Sequence, residues 1–182
     1  MNFEATGLPW VITSPHVPHP KTAYYYSLSG ILGELYTLNI GVGYTLPFEV
    51  FGAEWIKAED LAAALNALKI PGTMFRPIHF RPYYGAQRDM NLQGVQTYIT
   101  DFDKIPLTLI QFYVLQECHK LYPDKNVFEM CQPSRLDMFD KVCGTRRIRE
   151  TFSRTFTVAS IQGIWNEDVD KFKAKAKKYF LY

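Results

Sequence analysis

The chain has 182 residues, is 47% hydrophobic, 21% charged and 15% aromatic, and carries a formal net charge of +2. This apolar fraction excludes a disordered chain, and the sequence contains no run of about 18 apolar residues that would span a membrane. The pI near 8.3 is below the value above about 9 that is typical of a dedicated nucleic-acid-binding domain. The aromatic content is typical either of a large core or of a surface for sugars or partners, and composition does not choose between them.

The first 30 residues predict an extended arm. Pro9, Pro15, Pro18 and Pro20 each fix a backbone angle, and the last three push the preceding residue towards an extended conformation. The N-terminus lacks the basic and apolar regions of a signal peptide, so the sequence leaves the compartment unknown. We therefore predict an arm over 1–30 and one domain over 31–182.

The domain begins with a glycine-rich loop over 30–43, whose permissive backbone can approach a ligand or another chain closely. Alternating apolar residues predict strands, and apolar stripes at helical spacing predict helices. In chain order these elements are a strand over 46–51, a helix over 59–69, strands over 73–81 and 94–100, a helix over 106–121, short helices over 135–143 and 146–152, and a last helix over 158–179 with a buried face that includes Trp165 and Phe172. This order predicts an α+β fold, a small and mostly antiparallel sheet packed with helices.

Metal and thiol chemistry are not predicted. His16 and His19 are three residues apart, but the neighbouring prolines hold this segment extended, so the two rings are expected to diverge. The three cysteines lack the close pairs of a zinc site, and an odd number argues against a disulfide framework. The lysines of the last helix are expected to form a solvated face rather than a surface for nucleic acid or lipid.

Two carboxylates and several tyrosines are candidates for sugar chemistry. Glycosidic cleavage usually needs a proton donor and a second anionic or nucleophilic group. Glu34 and Glu49 lie in or beside the glycine-rich loop, where each can face a cleft or equally anchor the loop as a hydrogen-bond acceptor. The tyrosine run at 24–26, with the tyrosines that follow it, forms either a sugar-stacking platform or ordinary packing. No motif among these proves catalysis by itself.

Motifs spread along the chain resemble one known family. They include Thr6-Gly7-Leu8-Pro9-Trp10-Val11, Gly33-Glu34, Pro47-Phe48-Glu49-Val50-Phe51-Gly52-Ala53-Glu54-Trp55-Ile56, Phe75-Arg76-Pro77, Gly94-Val95-Gln96 and Tyr179-Phe180-Leu181-Tyr182. In this order and spacing they resemble the C-terminal part of the NamZ-type exo-β-N-acetylmuramidases, formerly a domain of unknown function. The resemblance covers essentially the whole chain.

The resemblance implies a bacterial two-domain glycosidase of peptidoglycan and cell-wall turnover. A Rossmann-like N-terminal domain, absent from this chain, and the α+β domain would enclose a cleft that releases terminal N-acetylmuramic acid from non-reducing ends. The implied partners are peptidoglycan fragments or muropeptides and the missing domain, with no nucleic acid, no membrane span and no metal or organic cofactor. Full-length relatives of this kind are expected to be periplasmic or extracytoplasmic.

The resemblance also implies site residues. Glu34 is the expected catalytic carboxylate, and Arg76 is expected either to pair with the lactyl or peptide carboxylate of the substrate, which its guanidinium fork matches, or to be a surface charge. The expected substrate-binding residues are Ser14, His16, Asn39, Tyr44, Glu49 and Arg76.

One departure from the family affects this expectation. The family loop reads E-G-T-N-L-S-E-G-R-G-T, and here Ile40 and Val42 replace its second Glu and its Arg. This departure and the missing Rossmann-like domain favour the alternative function, a non-catalytic glycan-binding or scaffolding domain. Because the proline-rich arm and the glycine-rich loop predict surfaces that meet another domain, we also expect the chain to be inactive alone.

Overall fold

The computed structural model describes residues 3–180, so the last two residues of the closing motif lie outside the described residues. The arm contains turns and one short 3-10 helix, Glu4–Thr6, and it ends where helix α1, Thr22–Gly33, begins. The prediction of an extended chain through residue 30 is therefore wrong for 22–30, and the predicted boundary at residue 30 falls inside α1. The prolines that favour an extended chain end at Pro20, and burial of Leu28 and Leu32 stabilises the helix that follows.

A three-stranded antiparallel sheet lies at the centre of the fold. Its strands are β1 (Val50–Ala53), β2 (Thr73–Phe80) and β3 (Leu92–Ile99), and β3 lies between the other two. Phe51, Phe75 and Val95 on one face enter the main core, and the other face carries a smaller apolar cluster of Val50, Ile78, Phe80 and Leu92. The predicted small antiparallel sheet is confirmed, although β1 begins after the predicted residue 46.

Helices cover the main-core face of the sheet. Helix α2 (Ala58–Ala67) packs on β2 and β3, and α3 (Ile110–Leu121) packs against α1 and α2. The chain continues with α4 (Val127–Met130), α5 (Pro133–Val142), α6 (Arg146–Thr155), α7 (Val158–Trp165) and α8 (Val169–Lys177). The fold is α+β, as the sequence predicts.

Most phenylalanine rings in the described chain are buried, whereas several tyrosine rings are exposed. Five phenylalanine rings from α3 to the end of α6 pack mostly edge to face, with centroids 5.3–6.3 Å apart: Phe112, Phe128, Phe139, Phe152 and Phe156. Such pairs add to the free energy gained by burying the rings. Several tyrosines are instead exposed, namely Tyr24, Tyr26, Tyr36, Tyr83, Tyr84 and Tyr179. The aromatic content therefore serves both a core and a surface.

The predicted last helix is two helices. Asp168 adopts a left-handed backbone conformation with φ 61°, which separates α7 from α8, and Asp tolerates this region better than most residues. Trp165 packs its ring against Phe112 at 5.2 Å and donates a hydrogen bond from Nε1 to Thr108 Oγ1, so α7 faces the core. In the described chain, α8 has no buried residue, and Phe172 is 71% exposed. The predicted buried face is wrong beyond Trp165.

A matched pair of phenylalanine substitutions tests this division. Phe152→Ala removes a fully buried ring from the aromatic core and should lower the free energy of unfolding by about 3–5 kcal/mol. Phe172→Ala removes an exposed ring and should change it by no more than about 0.5 kcal/mol. Urea denaturation measures both, and comparable losses in the two variants would show that α8 packs on the domain.

Candidate functional site

The candidate site is a cleft with a volume of about 220 Å³. Its walls come from the C-terminal end of α1, the loop that follows, the loop between β2 and β3, and the start of α5. The lining residues are Tyr26, Gly30, Gly33, Glu34, Tyr36, Leu38, Asn39, Ile40, Val42, Phe48, Gly85, Ala86 and Arg135. Segments that are distant in sequence therefore meet in one concave surface.

The loop after α1 returns to the edge of the sheet. Tyr36 takes a left-handed conformation with φ 59°, which reverses the chain after the helix. The backbone of Asn39 then exchanges two hydrogen bonds with Gly52 of β1, at 2.8 and 2.9 Å. This pairing fixes the floor of the cleft to the sheet.

The side chain of Asn39 joins the two loops. It is fully buried, and its Nδ2 donates to the carbonyl oxygens of Val42 at 3.1 Å and Ala86 at 2.7 Å. Its Oδ1 accepts from Gly41 N at 2.7 Å. Because both amide hydrogens are used inside the protein, we expect Asn39 to shape the cleft rather than to donate to a ligand.

Gly43 lets the β2–β3 loop come close. It has φ +84°, and a Cβ at this position would collide with the backbone oxygen of Tyr84. Tyr83 N donates to Gly43 O at 2.8 Å across the same contact. Gln87 adds a further link, because its Nε2 donates to Thr37 O at 2.7 Å. The two loops therefore form one unit.

Glu34 and Arg135 bring opposite charges into the cleft. Glu34 follows α1 directly, and its Oε2 lies 3.8 Å from Arg135 Nη1. The Arg135 guanidinium lies over the ring of Tyr36, 3.8 Å from the ring centroid. Both charged side chains are partly exposed, 29% for Glu34 and 35% for Arg135, so a ligand in the cleft can reach them.

Two other predicted residues meet elsewhere, on the sheet face that carries the smaller apolar cluster. Gln96 of β3 donates from Nε2 to Glu49 Oε2 at 3.2 Å, and its Oε1 accepts from Arg76 Nη2 at 2.6 Å. Burial, and then the Glu49 carboxylate, raises the pKa of the nearby Tyr25 phenol. Glu49 and Arg76 do not line the cleft that Glu34 lines.

Of the remaining predicted residues, Ser14 and His16 lie beside the cleft wall and Tyr44 lies outside the cleft. Ser14 accepts a hydrogen bond at Oγ from the His16 backbone, and the His16 ring stacks on Tyr84 with centroids 5.8 Å apart. Tyr84 precedes Gly85, which is part of the cleft wall. Tyr44 packs on Phe80 at 5.1 Å, in the smaller apolar cluster rather than in the cleft.

Arg135 is the functional candidate that the sequence did not reveal. It stands on an amphipathic helix far along the chain from Glu34, and no spacing rule links the two. Tyr26 and Tyr36 belonged to the tyrosines considered for a sugar platform, and both do line the cleft. The position of Arg135 depends on tertiary packing, which a single sequence does not show.

Residues 3–180 offer no activated thiol, no clustered metal ligands and no membrane-spanning helix. The cysteines are free, and burial raises the pKa of Cys118 and Cys143, the latter to about 12, so these thiols stay protonated and weakly nucleophilic at neutral pH. Within residues 3–180, no group of three or more His, Cys, Asp or Glu side chains is arranged to hold a metal ion. No helix in that part of the chain is long and apolar enough to cross a membrane.

Comparison with known proteins identifies the family. The family model described as "Exo-beta-N-acetylmuramidase NamZ, C-terminal" matches residues 24–182. The chain belongs to this family. The resemblance stated from the sequence is confirmed, and Ile40 and Val42, the positions of the expected family Glu and Arg, both line the cleft as apolar residues.

Two relatives show how much of a longer protein this chain represents. It is 33% identical over 182 residues to a peptidoglycan beta-N-acetylmuramidase NamZ from Bacillus subtilis (strain 168), and spans 42% of that protein. It is 49% identical to a DUF1343 family protein from Bacteroides fragilis, whose crystal structure matches the whole chain with a TM-score of 0.97. The chain covers 47% of that second protein, so it spans less than half the length of either relative.

The asparagine that joins the two loops can be tested directly. Asn39→Ala leaves two buried carbonyl oxygens and one N–H without a partner, so the free energy of unfolding should fall by about 1–3 kcal/mol. Asn91→Ala, at an exposed position next to β3, should change it by no more than about 0.5 kcal/mol. Thermal denaturation of the two variants makes the comparison. Equal stability of Asn39→Ala and wild type would contradict the role given to Asn39.

Proposed function

We propose that this NamZ-family chain supplies one wall of the sugar cleft of a peptidoglycan-degrading exo-β-N-acetylmuramidase. In this function, the cleft holds the terminal N-acetylmuramic acid residue at a non-reducing end, and an N-terminal domain completes the site. The observation that carries the proposal is the meeting of Glu34, Arg135 and exposed tyrosine rings in one cleft. The name of the Bacillus subtilis relative supports the substrate class.

The tyrosines suit a sugar ligand. Tyr26 and Tyr36 line the cleft and are 55% and 50% exposed, so part of each ring is available for contact beside Phe48 and Arg135. An aromatic face is apolar and packs against the C–H surface of a sugar ring, and the phenol hydroxyl serves neighbouring polar groups. Tyr84, beside the cleft wall, extends this surface towards His16.

The size of the cleft supports a shared site. Ligand-binding pockets commonly measure about 300–1,000 Å³. The cleft here measures about 220 Å³, so it is small for a complete ligand pocket. A second wall from another domain would enlarge and enclose it, as the length of the relatives suggests.

The carboxylates in the cleft also support a shared site. Glycoside hydrolysis commonly uses two carboxylates on either side of the scissile bond. In the described part of the chain, the cleft lining contains one, Glu34. In the proposed function Glu34 acts near the glycosidic bond, and the second catalytic group comes from the N-terminal domain.

The alternative is a non-catalytic domain that binds glycan or serves as a scaffold. Apolar Ile40 and Val42 in the cleft wall favour it, because neither can transfer a proton or pair with a charge. In this alternative, the Glu34–Arg135 pair and the tyrosines hold the sugar without cleaving it. The two functions differ in turnover, so an activity assay separates them.

The assay uses a chromogenic N-acetylmuramic acid glycoside. We expect no turnover from the 182-residue chain alone, and turnover when it is joined to the N-terminal domain of a family member. In the joined protein, Glu34→Gln should lower kcat by about 100-fold or more, the range of a lost general acid or base. Glu59→Gln, an exposed carboxylate on α2, is the matched control and should leave kcat unchanged.

Two results would count against the enzymatic proposal. Turnover by the chain alone that disappears in Glu34→Gln would show that no second domain is needed. Glycan binding without turnover in the joined protein would favour the non-catalytic alternative.

A further inference from the structure

The charged side chains of the cleft have unused hydrogen-bonding capacity. Arg135 Nη1 and Glu34 Oε2 are 3.8 Å apart, which is an ion pair but is longer than a hydrogen bond. The Arg135 guanidinium donates no hydrogen bond to any residue within 3–180. Arginine presents N–H donors in a planar fork, so a ligand in the cleft meets donors without partners.

The fork of Arg135 is held in place. Its guanidinium lies 3.8 Å from the centroid of the Tyr36 ring, a contact that restricts the side chain and leaves the edge of the guanidinium free. The backbone below it is fixed at the start of α5, where Pro133 is the first helical residue and Arg135 N donates to Gln132 O at 2.9 Å. Less conformational entropy is then lost when a ligand binds.

Arg76, the arginine that the sequence favoured for a substrate carboxylate, is engaged elsewhere. Its Nη2 donates to Gln96 Oε1 at 2.6 Å, on the sheet face where Gln96 also binds Glu49. It does not line the cleft, whereas Arg135 does. Arg135, and not Arg76, is therefore the arginine that a ligand in the cleft can contact.

We infer that Arg135 is the residue that selects a carboxylate-bearing sugar in this cleft, by donating two parallel N–H bonds to the ligand carboxylate. Such a fork matches the two oxygens of a carboxylate and gives strong, oriented hydrogen bonds. N-acetylmuramic acid carries a lactyl carboxylate that N-acetylglucosamine lacks, so Arg135 distinguishes the two sugars of peptidoglycan. This inference rests on the proposed function and adds to it the residue, Arg135, that recognises the lactyl carboxylate of the sugar.

The test compares two ligands and several variants of the 182-residue chain. Methyl N-acetyl-β-muramic acid and methyl N-acetyl-β-glucosaminide are titrated separately, and binding is followed by ¹H–¹⁵N NMR, which also reports whether each variant is folded. Wild type should bind the muramic acid glycoside about tenfold or more tightly than the glucosaminide, as expected for a charge-assisted pair. Arg135→Gln should remove this preference by weakening the muramic acid glycoside alone.

Two further arginine variants show whether the preference for the muramic acid glycoside depends on the guanidinium fork or on charge alone. Arg135→Lys keeps the charge but not the fork, so it should retain only part of the preference for the muramic acid glycoside. Arg154→Gln, at an exposed position on α6, should bind both glycosides as wild type does. A general charge effect would lower the preference in both glutamine variants and would contradict a specific site at Arg135.

The possible failures point to different conclusions. If wild type binds neither glycoside, this inference fails, whereas the proposed function is decided separately by the turnover assay of the joined protein. If wild type prefers the muramic acid glycoside and Arg135→Gln keeps that preference, only the inference fails. Loss of the preference in Arg76→Gln, with Arg135→Gln unchanged, would assign the carboxylate to the sheet-face arginine instead.

Discussion

The mutual bracing of two loops is the constraint on which the cleft depends. The loop after α1 and the loop between β2 and β3 are held together by the buried Asn39 side chain, the close approach at Gly43 and the hydrogen bond from Gln87 to Thr37. Each loop alone has irregular backbone with many groups to satisfy, and the other loop supplies the partners. The bracing leaves a concave surface beside α1, into which Glu34 and Arg135 project.

The two loops carry the candidate ligand contacts, whereas the sheet and helices beneath them provide the stable core. The phenylalanine core around Phe112 and Phe152 stabilises the platform, and the loops above it carry the polar and tyrosine side chains. Sites held on a rigid scaffold lose less entropy when they bind a ligand. The apolar residues Ile40 and Val42 in the wall make Glu34 and Arg135 the charged groups of the cleft lining in the described chain.

Periodicity predicted the parts of the fold that depend on local sequence, and missed those that depend on tertiary contact. The strands β2 and β3 and helix α2 follow their apolar patterns closely. Helix α1 was missed because the prolines up to Pro20 predicted an extended arm through residue 30, whereas the burial of Leu28 and Leu32 that stabilises the helix is a tertiary effect. The break at Asp168 was missed because the apolar stripe continues across it, although α8 has no core to meet.

The candidate site also contains one residue that the sequence predicted and one that depends on tertiary contact. Glu34 was found through its place in the glycine-rich loop and the family resemblance, whereas Arg135 reaches the cleft only because α5 packs beside α1.

The most direct test of this account is a crystal structure of the chain with a bound N-acetylmuramyl–N-acetylglucosamine disaccharide, which carries muramic acid at its non-reducing end. The account predicts a muramic acid residue in the cleft, with its ring against Tyr26 or Tyr36 and its carboxylate within hydrogen-bond distance of Arg135. A sugar bound instead on the sheet face beside Arg76 and Glu49, or against the exposed Phe172 of α8, would contradict it.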